Sequence, residues 1–190
     1  EEKKLGELTK RISRRNKDGI SDIPLTISSA YGLIDQRKYF NKVVAAQDLT
    51  NYYLLKKGEF AYNRSSSVGY DFGAIKRLDE YECGAVSTLY ICFSIKGDNV
   101  VYSDFLVEYF DSCKWNKYAG TVCAEGARNH GLLNISVNDF FDMPILLPSL
   151  PEQRKIADCL STFDDVINQT KAELASWQEF KKGLQQQMFV

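Results

Sequence analysis

The chain has 190 residues, 24 Lys or Arg against 25 Asp or Glu, a formal net charge of −1, and a composition 44% hydrophobic and 13% aromatic. Length and apolar content allow one domain with an appendage and exclude wholesale disorder, and no apolar run approaches the ~18 residues of a membrane span. The near-neutral total also argues against a nucleic-acid binder, which is expected to be basic, until the charges are placed along the chain.

The opening Glu1-Glu2-Lys3-Lys4 has no apolar stretch of the kind a secretion signal needs and no initiator Met, so it reads as the start of a cut or processed piece. Lys3–Lys17 predicts a short helix with Leu5, Leu8 and Ile12 on one face. Strands are expected at Ile23–Ser28, Val43–Ala46, Glu59–Asn63, Gly69–Ile75 and Val86–Ile95. Turn chemistry separates them at Lys17-Asp18-Gly19, Lys56-Lys57-Gly58 and Lys96-Gly97-Asp98-Asn99. Ser103 opens a helix in which Phe105, Leu106, Tyr109, Phe110 and Cys113 recur at helical spacing. A loop of small and polar residues runs from Ala119 to Gly131, then a short strand at Leu132–Ile135, a capped turn at Ser136-Val137-Asn138-Asp139, and a strand at Met143–Leu147. The result is an α+β fold: a mixed globular domain over residues 1–150.

Residues 151–190 read as one long helix. Ser149 at the N-cap and Glu152 three residues on form a capping box. Beyond it Ile156, Leu160, Phe163, Ile167, Thr170, Leu174, Trp177, Lys181, Leu184 and Met188 recur at alternating steps of four and three, a coiled-coil seam broken only by Thr170 and Lys181. At ~1.5 Å per residue the helix is roughly 55 Å long, against about 30 Å for a compact domain of this size. Most of it must project, and its apolar stripe needs a partner helix.

Enzymatic chemistry finds little support. His130 is the single histidine, and there is no G-x-S-x-G elbow, G-x-x-x-x-G-K phosphate loop or G-x-G-x-x-G fingerprint. The five cysteines, at 83, 92, 113, 123 and 159, are odd in number and lack C-x-x-C spacing, which predicts buried free thiols in a cytoplasmic protein and no metal site.

Charge is distributed unevenly. Residues 1–77 hold 15 basic against 9 acidic residues, a balance of +6; residues 78–150 hold 4 against 10, or −6; residues 151–190 hold 5 against 6, or −1. The positive segment is densest at Lys10, Arg11, Arg14, Arg15 and Lys17, and around Tyr62-Asn63-Arg64-Ser65-Ser66-Ser67-Val68-Gly69-Tyr70 with Lys76 and Arg77. Arg, Asn, Ser and Tyr donate to phosphate oxygens and read base edges, so this stretch is a candidate DNA surface. A protein-interaction scaffold with a polar hairpin fits the same composition.

Several strings, in order, resemble one family. They are Leu25–Ser29, Tyr31-Gly32-Leu33-Ile34, Tyr39-Phe40-Asn41-Lys42, Asn51-Tyr52-Tyr53 and Lys57 through Ser65, then Gly84–Tyr90 and Gly126-Ala127-Arg128-Asn129. Leu147 through Ile156, with its Pro151-Glu152-Gln153, and Lys181 through Phe189 complete the set. Together they are similar to the specificity (S) subunit of type I restriction-modification systems, with one target-recognition domain and one conserved helix. The resemblance implies a non-catalytic subunit that recognises double-stranded DNA and docks the methyltransferase (M) subunit. S-adenosylmethionine would bind on that partner, with no cofactor in this chain. The restriction (R) subunit would be engaged indirectly. It also implies pairing of the helix with a second copy or with another half of the same protein. The recognition domain of a fused methyltransferase-nuclease is the remaining alternative.

The resemblance makes the Tyr62–Tyr70 loop and Arg128-Asn129-His130 candidates for DNA contact, with Arg64 and Arg128 foremost, or else paired with carboxylates such as Asp71 or Glu125. Lys10, Arg11, Arg14, Arg15, Lys76 and Arg77 are expected on phosphates, and Ser28, Ser29 and Tyr31 near a groove. Ile156, Leu160, Phe163, Ile167, Leu174, Trp177, Leu184 and Met188 are expected in the helix pair.

Overall fold

The computed structural model describes residues 1–28, 31–39, 48–97, 99–123 and 133–189. In chain order these form β1 (Glu2–Lys4), α1 (Leu5–Leu8), β2 (Thr9–Ile12), a 3-10 turn at Lys17–Gly19, β3 (Leu25–Ser28), β4 (Gly32–Asp35) and α2 (Gln36–Tyr39). Then come β5 (Tyr53–Lys56), β6 (Phe60–Asn63), β7 (Ala74–Arg77), β8 (Cys83–Val86) and β9 (Ile91–Ile95). Last are α3 (Ser103–Asp111), α4 (Asn116–Cys123), α5 (Val137–Phe141), β10 (Pro144–Leu146) and α6 (Leu150–Met188).

The centre is an antiparallel sheet of order β2-β9-β6-β7. Side chains alternate across a strand, and the sequence obeys this on both inner strands. Phe60, Tyr62, Ile91 and Phe93 face one core with Phe105, Leu106, Phe110, Trp115 and Phe140. Ala61 and Cys92 face a second core with Ile12, Leu25, Leu33, Tyr53, Leu55 and Val86. Phe60 lies opposite Phe93, and their rings stack with centroids 5.1 Å apart. The second core is closed by the small sheets β3-β4 and β5-β8. Burial pushes the Cys92 thiol up to about 12, consistent with an inert core residue. All five cysteines are free, but only Cys92 and Cys123 are buried as expected; Cys83 and Cys113 are half-buried and Cys159, on α6, is exposed.

Several elements differ from the sequence reading. Lys3–Lys17 is not a helix. Leu5, Leu8 and Ile12 are buried as expected, but the first two lie on the single helical turn α1 and Ile12 on the strand β2. Pairing of β2 with β9 satisfies the backbone along a core edge, and that outweighs the local helical spacing. Val86–Ile95 is two strands split by a turn in which Tyr90 N–H donates to the Ser87 carbonyl at 3.0 Å. Within Gly69–Ile75 only Ala74 and Ile75 are strand. Gly73, at φ +83, turns the chain where a Cβ would come within 2.2 Å of the Asn63 carbonyl oxygen, so only glycine fits. The expected loop at Ala119–Gly131 begins inside α4, and its residues beyond 123 lie outside the described ones, as do Val43–Ala46 and Leu132. Leu133–Ile135 is not strand, although Leu133 N–H donates to the Arg64 carbonyl at 2.8 Å.

α6 is as the sequence predicts. Ser149 and Glu152 form the capping box, with Ser149 N–H on Glu152 Oε2 at 2.9 Å. Those bonds hold the Glu152 carboxyl below its usual range. Gln153 anchors the root: 1% exposed, it accepts from Tyr102 N–H at 2.8 Å and donates to the Pro148 carbonyl at 3.0 Å. After Ala157 nearly every residue of the helix is exposed.

Candidate nucleic-acid interface

β2 and β6 both run antiparallel to β9. Their C-terminal ends therefore leave the sheet on the same side, beside the Ser87–Tyr90 turn that precedes β9. This end gathers Ser13–Arg15, the Arg64–Tyr70 loop and Leu89.

Arg64 is the tie between them. Its Nε and Nη2 donate to the Leu89 carbonyl at 3.2 and 3.1 Å, and Nη1 donates to the Ile135 carbonyl at 3.3 Å. Its partners are main-chain carbonyls, not the carboxylates expected of a paired Arg, and its guanidinium is engaged in holding three loops. Past Arg64 the chain forms a two-residue hairpin. Ser67 N–H donates to Tyr70 at 3.1 Å and Tyr70 N–H returns to Ser67 at 2.8 Å, with Gly69 at φ +82. Ser66, Ser67 and the 95%-exposed Val68 form its tip; Asn63, Ser65 and Tyr70 are half-buried.

Other candidates are withdrawn into the fold. Tyr62 is fully buried, its ring stacked on Phe140 at 4.8 Å and edge-on to Trp115 at 5.3 Å. Its hydroxyl donates to the Phe72 carbonyl at 2.7 Å, and burial drives its pKa far above the ordinary tyrosine value. Tyr62 is a core residue and not a DNA contact; alternation from Phe60 along β6 was the signal. Lys76 bonds Asp111 at 2.6 Å and the Tyr70 hydroxyl at 3.1 Å. Burial works against its charge, but Asp111 and Tyr70 outweigh it and hold the ammonium above its usual pKa. Arg77 donates to Asp79 at 2.6 Å, Asp104 at 2.5 Å and Ser103 at 2.8 Å. Neither Lys76 nor Arg77 is presented to a phosphate, because acidic groups of α3 and its neighbours neutralise them. Ser28 is also inside, 3% exposed, with its hydroxyl accepting from Tyr31 N–H at 3.3 Å. Tyr31 itself stands 73% exposed at the β3–β4 tip.

Among the opening cations, Arg14 is spent on Glu59 at 2.7 Å and the Leu54 carbonyl at 3.0 Å. Arg15 donates to the Asn51 carbonyl and lies 5.0 Å from the Tyr53 ring centroid. Lys10 and Arg11 are exposed on the edge strand β2 and make no ion pair among the described residues. Ser29, Arg128, Asn129 and His130 lie outside the described residues. Among the described residues no group of His, Cys, Asp and Glu is arranged to hold a metal, and no helix is long and apolar enough to cross a membrane.

The sequence model of the type I restriction modification DNA specificity domain matches residues 2–176, the globular part and two-thirds of α6 together. The chain belongs to that family. Solved structures share the fold of this specificity domain. One, from work on complex assembly and conformational transition of the type I R-M system, is 18% identical with a TM-score of 0.64, covering 94% of this chain and 45% of that one. The HsdS subunit from Thermoanaerobacter tengcongensis is 14% identical with a TM-score of 0.58, covering 97% of this chain and 47% of that one. The specificity domain thus spans less than half the length of either. No curated protein matches it.

Among the described residues, the exposed surface of this specificity domain at the loop end includes Ser13, Arg15, the Ser66–Val68 tip, Thr88, Leu89 and, along β2, Lys10 and Arg11. Leu89 was not among the sequence candidates; its side chain is 56% exposed while its carbonyl holds Arg64.

Proposed function

We propose that this chain recognises one half of a bipartite double-stranded DNA site for a type I restriction-modification complex in the cytoplasm, as a subunit without catalysis of its own. It docks the methyltransferase subunit, which carries S-adenosylmethionine, and engages the restriction subunit through the assembled complex. α6 pairs antiparallel with α6 of a second copy. The observation that carries the reading is the family match across both the globular part and the projecting helix. The helix supports it independently: Phe163, Leu174 and Trp177 are 61%, 56% and 61% exposed, an unusual cost unless another helix covers them.

A gel shift over a salt series tests it. Specific duplex is bound in preference to random duplex, and affinity falls steeply as salt rises, because phosphate contacts release counterions. Charge reversal at Lys10 and Arg11 weakens binding to all duplexes alike and makes the salt slope shallower by about one for each phosphate contact removed. Salt-independent binding, or none with the methyltransferase subunit present, contradicts the reading.

A further inference from the structure

The stripe on α6 has a single antiparallel register that closes it completely. When Ile156 of one helix faces Met188 of the other, Leu160 faces Leu184, Phe163 faces Lys181, Ile167 faces Trp177 and Thr170 faces Leu174. A slip of one heptad either way leaves Ile156 and Leu160, or Leu184 and Met188, without partners. The closing register also brings together Val166 and Phe180, 56% and 59% exposed, the large apolar residues that flank the seam.

That register delivers the last turn of one helix to the root of the other, and the root carries a groove. It encloses about 730 Å³ between α3, α4, β10 and the first turns of α6. Phe105 and Trp115 form its floor; Tyr118 and the 70%-exposed Leu146 stand at its sides. Ile156 and Leu160 belong both to the groove and to the stripe, so the two apolar surfaces are continuous. We propose that the groove is a socket for the C-terminal end of α6 from a second copy, seating Met188 and Phe189, which are 74% and 83% exposed on their own chain. The proposal rests on the helix pairing above and adds its register and end point.

Hydrogen-bonding capacity suits this occupant. The last turn of a helix has carbonyls with no intrahelical partner and a partial negative charge. Lys114 and Lys117 line the groove and can donate to such carbonyls, while Glu2 and Glu108 also border it and leave the lining without net charge. The chain's own helix end cannot fill it, because Ile156 and Phe189 are separated by about 50 Å of straight helix.

The test uses the full chain with a photoreactive benzoylphenylalanine in place of Phe189, mixing isotopically light and heavy copies. After irradiation, mass spectrometry of the dimer finds light–heavy crosslinks to Tyr118, Leu146 or their neighbours. In parallel, Leu146→Asp raises the dimer dissociation constant at least tenfold. A dimer whose crosslinks fall elsewhere overturns the socket and leaves helix pairing standing, as does a groove protected only after methyltransferase subunit is added. A monomeric chain overturns both.

Discussion

Tyr62 and Arg64 stand two residues apart in one polar string, and the fold gives them different tasks. Tyr62 shares the inward face of β6 with Phe60 and joins an aromatic cluster. Removing its hydroxyl strands the Phe72 carbonyl, so Tyr62→Phe should cost about 1 kcal/mol in urea unfolding while leaving DNA preference intact. Arg64 fastens Leu89 and Ile135, and Arg64→Ala should cost about 1–3 kcal/mol, because these carbonyls lose charged donors. Glu108 is a further residue-scale case. Partial burial, then the charges of Asp164 and Asp111, raise its pKa. A raised acid favours the folded state while protonated and loses that contribution as pH climbs through the folded value. Glu108→Gln should therefore melt higher than the parent at pH 7 and no differently at pH 3. Equal melting at both values contradicts the repulsion.

Among elements, α6 was the most legible, and physics explains why. A capping box and a seam at steps of four and three are local signals, readable without knowing what lies across space. Asp placed at both Ile167 and Leu174 should give a monomer by light scattering with the globular part still folded, since both residues are exposed on their own chain. The stretch Lys3–Lys17 misled for the converse reason. Three apolar residues at helical spacing fit a turn and a strand equally well, and the deciding partner, β9, lies some eighty residues downstream. The division of Val86–Ile95 was similarly hidden, because a turn of Ser, Thr, Leu and Tyr lacks the glycine or proline that usually marks one.

For the whole molecule, segment charge pointed to the basic first 77 residues as the candidate DNA surface. The fold instead sets parts of that stretch against the acidic one that follows: Lys76 on Asp111, Arg77 on Asp104, Lys57 on Glu82 and Lys4 on Asp142. Sequence sums cannot show this, since each pair joins residues 25 or more apart. Under the proposed function, DNA would meet exposed loop tips and, among the described residues, the unpaired cations Lys10 and Arg11, and assembly would use the exposed apolar stripe of α6. A homodimer built this way presents two identical recognition domains related by a two-fold axis. The most direct measurement is selection from a random duplex library by the purified complex of this chain with its methyltransferase subunit, followed by sequencing. Enrichment of one short motif, present twice in inverted orientation at a fixed gap, is the predicted result; no enriched motif, or a motif with no second copy at constant spacing, contradicts the account.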